Sequence, residues 1–82
     1  MKEMIDRMIR SAYDEIEDVQ KYMKMCTDMK EAGMECPGMM KDIAHDEYTH
    51  AMYMISMIEM ADEVPEDLRK KWEECRKMYA NA

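Results

Sequence analysis

The chain has 82 residues, 48% hydrophobic and 38% charged, with a formal net charge of −7, fourteen Met and only two Gly and two Pro. This profile predicts an all-α domain, and a chain this short buries only about 60–65% of its unfolded surface, which favours association with a second copy. Both signs of charge are interleaved, so there is no basic stripe for nucleic acid or an anionic membrane.

Charges recur every few residues from Met1 to Glu15, which argues against a secretory leader at this end. The longest uncharged run, Tyr48 to Ile58, is far short of the roughly 20 residues that span a bilayer. A cytoplasmic, soluble domain spanning 1–82 is expected. Cys26, Cys36 and Cys75 are odd in number and form no C-x-x-C, so reduced thiols are expected.

From about residue 2 to 32 there is no Gly or Pro, and Ile5, Ile9, Ala12, Ile16, Val19, Met23 and Cys26 recur at helical spacing. This is a long amphipathic first helix. Met8, Glu15 and Tyr22 repeat every seven residues along one flank of its stripe, so Glu15 can lean inward. Asp14 and Glu17 point away, and Asp18 lies beyond Glu15 on the same flank. Gly33 suits the helix stop, and Cys36-Pro37-Gly38 marks a turn or the start of a second helix at about 37–62.

In the second helix, Ile43, Met54, Met57, Ile58 and Ala61 share an expected inner face with two polar residues, Glu47 and His50. Glu47-x-x-His50 places both side chains on adjacent turns pointing one way, as two ligands of one metal require. The alternative is a buried His satisfied by a buried Glu. Asp42-x-x-His45 has the same spacing, but His45 lies some 160–180° from the stripe and is read as a surface residue. Tyr48 and Met52 are expected to face outward, with Tyr53 at the stripe edge.

Whether Glu15 meets Glu47 depends on the turn. A turn centred on Gly33 offsets the two by about 6 Å, and one centred on Pro37 by roughly 18 Å. A third helix at about 65–80 opens at Pro65 and carries the seam Leu68, Trp72, Cys75 and Tyr79. It is read as a lid on a bundle end or on a partner chain.

Two such hairpins related by a two-fold axis close a four-helix bundle, which gathers Glu15, Glu47 and His50 of both chains into four carboxylates and two imidazoles. Like charges so close raise each other's pKa, and divalent cations offset them. The segments Glu15-Ile-Glu-Asp-Val-Gln-Lys-Tyr22 and Ala44-His-Asp-Glu47-Tyr-Thr-His50-Ala51 resemble the first half of the ferritin-like superfamily, as in bacterioferritins and rubrerythrins. The resemblance covers about residues 13–58 and lacks a second Glu and Glu-x-x-His, as in the short two-helix encapsulated ferritins. It implies a homodimeric four-helix bundle, or a higher oligomer, with a di-iron site open to Mn or Zn. It further implies ferroxidase, peroxidase or oxygen-handling chemistry, with Glu15, Glu47 and His50 as metal and catalytic residues. The tail Met78-Tyr-Ala-Asn-Ala does not resemble an encapsulation peptide, so a surrounding shell stays open. Two other classes compete: a copper(I) binder using Met23, Cys26, Met54 and Met57, and a metal-free helical interaction module.

Overall fold

The computed structural model describes residues 2–81 as three helices, α1 (Lys2–Glu31), α2 (Gly38–Met60) and α3 (Glu66–Ala80), with no strand among them. None is long and apolar enough to cross a membrane. α1 ends where Gly33 takes a left-handed φ of 81°. There the Gly33 N–H donates to the Lys30 carbonyl at 3.0 Å and the Met34 N–H to the Met29 carbonyl at 2.8 Å. This pair of bonds occupies carbonyls the helix leaves free, in a backbone conformation glycine adopts without a Cβ clash. α2 ends the same way around Asp62, at φ 57°, with the Glu63 N–H on the Ile58 carbonyl. Asp is among the few residues with a side chain that tolerate this region.

α1 and α2 pack as an antiparallel hairpin, and α3 lies back along α1. Asp67 near the start of α3 acts on the Tyr13 hydroxyl, and Tyr79 near its end shares a cavity with Tyr22 and Met23. α3 therefore runs in the direction of α1. Its acidic first turn, Glu66 and Asp67, and Lys77 in its last turn suit the helix dipole. Leu68 and Cys75 are fully buried against Ala12, Ile16, Val19, Ala51, Ile55 and Ile58. The expected seam is thus real, but it closes one groove of its own hairpin instead of capping a bundle end.

The inner face of α2 differs from the expected one. Ala44, Ala51, Ile55 and Ile58 are buried, whereas Ile43 is 38% and Met57 44% exposed and Met54 only partly covered. Of the expected stripe, Ile58 alone is fully buried. Ala44 and Ala51 let α2 approach α1 closely, and burying Ile55 and Ile58 contributes about 1.5–3 kcal/mol each. The Ile43, Glu47, His50, Met54, Met57 stripe lies about 100° round the helix from the buried one. α2 therefore carries two apolar faces. Tyr48, expected to face outward, instead turns to α3, where its ring stacks on Tyr79 at 4.0 Å and meets Trp72 at 5.1 Å. His45 and Met52 are exposed, as read from the sequence.

The cysteines also depart from expectation. Cys26 and Cys36 form a disulfide across the turn, with Cα atoms 5.0 Å apart, and Cys75 alone remains a free thiol. That separation lies within the range a disulfide bridges. Burial pushes the Cys75 thiol up to about 11, which leaves it unreactive.

Candidate metal centre

Tyr13 and Tyr48 turn toward α3. The residue two positions on lies roughly 160° away around a helix, so Glu15 and His50 stand on the opposite groove of the hairpin. That groove is the one α3 leaves open. Glu15 comes from the middle of α1, and Glu47 and His50 from adjacent turns of α2.

One ligand atom from each of Glu15, Glu47 and His50 lies within 4.8 Å of the others. The turn thus places Glu15 and Glu47 at one level within a single chain, as expected for a connection centred near Gly33. Nδ1 of His50 is 3.7 Å from Oε2 of Glu15, too long for a hydrogen bond but within ion-pair reach. Oε2 of Glu15 is buried and has no hydrogen-bond partner. Such an atom loses its water without a replacement, which is costly for a carboxylate.

The electrostatics follow from this placement. Burial pushes the Glu15 carboxyl from its ordinary value up to about 7, and the adjacent Glu47 adds to the effect, followed by Asp18 and Asp14. The acid therefore keeps its proton to higher pH than an ordinary carboxyl, and a cation would displace that proton. Two carboxylates and an imidazole converging from two rigid helices form a hard-to-borderline O,O,N donor set, suited to Fe, Mn or Zn. The side chain of Glu15 is only 24% exposed and that of His50 is 59% exposed, so the trio is closed beneath and open above.

Asp18, beyond Glu15 on the same flank, pairs with Lys21 at 3.8 Å. Asp14 and Glu17 are exposed. Around the trio the open face is apolar: Met8 and Met54 are half-buried, while Met4, Ile43 and Met57 are exposed. Of the copper(I) ligand set, Cys26 has its sulfur in the disulfide, Met23 is in the core and Met57 is exposed. Comparison with family models, curated proteins and solved structures finds no match to the chain.

Proposed function

We propose that two chains pair through the open groove, and that Glu15, Glu47 and His50 of both hold two iron ions in a carboxylate-bridged centre of ferroxidase or peroxidase type. The buried Oε2 of Glu15, 3.7 Å from Nδ1 of His50 in a trio whose ligand atoms lie within 4.8 Å of one another, carries this reading. Three ligands per chain leave a metal under-coordinated, and the second apolar stripe of α2 offers the surface through which a copy would complete the set. The resemblance to ferritin-like proteins points to the same arrangement.

Glu15 and Glu47 would be the terminal or bridging ligands and His50 the single nitrogen ligand from each chain. Iron held in such a set supplies redox chemistry with oxygen or peroxide, and Mn or Zn would fit the same donors. The chain's own contribution is to hold two carboxylates ready on rigid helices and to exclude water beneath them. Elemental analysis after anaerobic loading and desalting tests the proposal. About one iron per chain is expected for the wild type and close to none for Glu47→Gln, with helicity unchanged in both. A Glu47→Gln protein that keeps its iron would place the metal on other ligands, and a wild type that takes up none would leave the chain as a metal-free module with an adhesive methionine face.

A further inference from the structure

At the closed end of the hairpin, two cavities flank the Cys26–Cys36 disulfide. One, of about 540 Å³, is lined by Cys26, by the apolar Met23, Met40 and Ala44, and by Lys30 and Lys41. The other, of about 530 Å³, touches Cys36 and is bordered by the same two lysines. Among the described residues the ion pairs are Lys21–Asp18, Lys24–Asp28 and His50–Glu15, so neither Lys30 nor Lys41 is engaged by a carboxylate. None of the described residues lining the Cys26 cavity is acidic, whereas Glu35 borders the other. In a chain of net charge −7, two unengaged cations that line the cavities on both cysteines of a disulfide form a local anion-attracting site.

We propose that this is a thiol–disulfide exchange site for a low-molecular-weight thiol bearing carboxylates, which enters the Cys26 cavity with its acid groups on Lys30 and Lys41. The incoming thiolate attacks Sγ of Cys26, the Cys26–Cys36 bond breaks, and Cys36 leaves as a thiolate. A second thiol then attacks the external sulfur of the mixed disulfide and releases Cys26 as a thiolate. Two external thiols are thereby oxidised to one disulfide, and the protein disulfide is reduced to two thiols. The lysines act twice: they concentrate the anionic reagent and they stabilise the departing Cys36 thiolate, which speeds exchange. The metal centre uses neither these cysteines nor these lysines, so the two readings stand or fall separately.

The test is a charge series on the oxidised protein with glutathione, 2-mercaptoethanol and cysteamine, each rate divided by that thiol's rate with a small-molecule disulfide. Alkylation and mass spectrometry read the opening, and the buried Cys75, alkylated only after denaturation, is the internal control. Glutathione should exceed cysteamine on the order of tenfold at low salt, and the gap should narrow at high salt. The mixed disulfide should map to Cys26, and Lys30→Gln with Lys41→Gln should bring the three rates together. Equal normalised rates, a mixed disulfide on Cys36, or a double variant with undiminished preference would overturn the proposal. The wild-type series decides alone if the double variant does not fold.

Discussion

The Glu15 carboxyl makes the metal-free protein sensitive to pH in a direction opposite to that of most native carboxylates. Its value is raised to about 7 in the folded chain, chiefly by burial and then by Glu47. Between its ordinary value and about 7, the folded state holds a proton that the unfolded state has released. Stability from this group is therefore present at acid pH, falls as pH rises across that window, and stays low above it. The full shift corresponds to at most about 3 kcal/mol, at 1.36 kcal/mol per unit. Screening at the open side of the groove reduces this to about 1–2 kcal/mol. For a domain of this size that is roughly 5–15 °C in Tm. Thermal unfolding of chelator-treated wild type and Glu15→Gln at pH 5 and pH 8 reads the effect of the cluster, because carboxylates remote from Glu15 cancel in the difference. Glu15→Gln should melt higher than wild type at pH 8 and close to it at pH 5. A variant that melts lower at pH 8 would show that Glu15 is a structural residue and that the charge-cluster argument is wrong.

Three further outcomes follow from the same geometry. His50→Ala should remove most bound metal while His45→Ala leaves it unchanged, because only His50 stands on the Glu15 side of the hairpin; equal losses, by elemental analysis, would contradict that placement. Met57→Glu, at an exposed position on the open face, should shift sedimentation from dimer to monomer while circular dichroism stays helical; an unshifted dimer would put the interface elsewhere. Reducing the Cys26–Cys36 disulfide should lower stability by about 2–3 kcal/mol for so short a loop, read as a denaturation midpoint with and without reductant.

The helix boundaries were legible because their signals are local. Gly33, Pro37 and Pro65 act through backbone geometry alone, and the observed ends lie within two residues of those expected. The face of α2 was not legible in the same way, because a methionine-rich helix can offer two apolar stripes and periodicity does not say which one meets α1. The deciding signal was the small pair Ala44 and Ala51, whose seven-residue spacing marks where two helices come close. Tyr48 was misplaced for a related reason: its partners Trp72 and Tyr79 lie on α3, a tertiary contact that the pattern of α2 does not encode. The Glu15, Glu47 and His50 trio was found despite the shifted face, since the i, i+3 relation and the hairpin level survive a rotation that moves both helices' flanks together. The disulfide left no trace in the spacing, because nine intervening residues match no motif and only the folded turn brings Cys36 back to Cys26.

Native mass spectrometry of the protein loaded anaerobically with Fe(II) reads at once whether metal and partner complete one site together. A dimer carrying two metal ions should be the dominant species, with no singly loaded monomer at saturation. A monomer that saturates with its own metal, or a dimer that binds none, would contradict it.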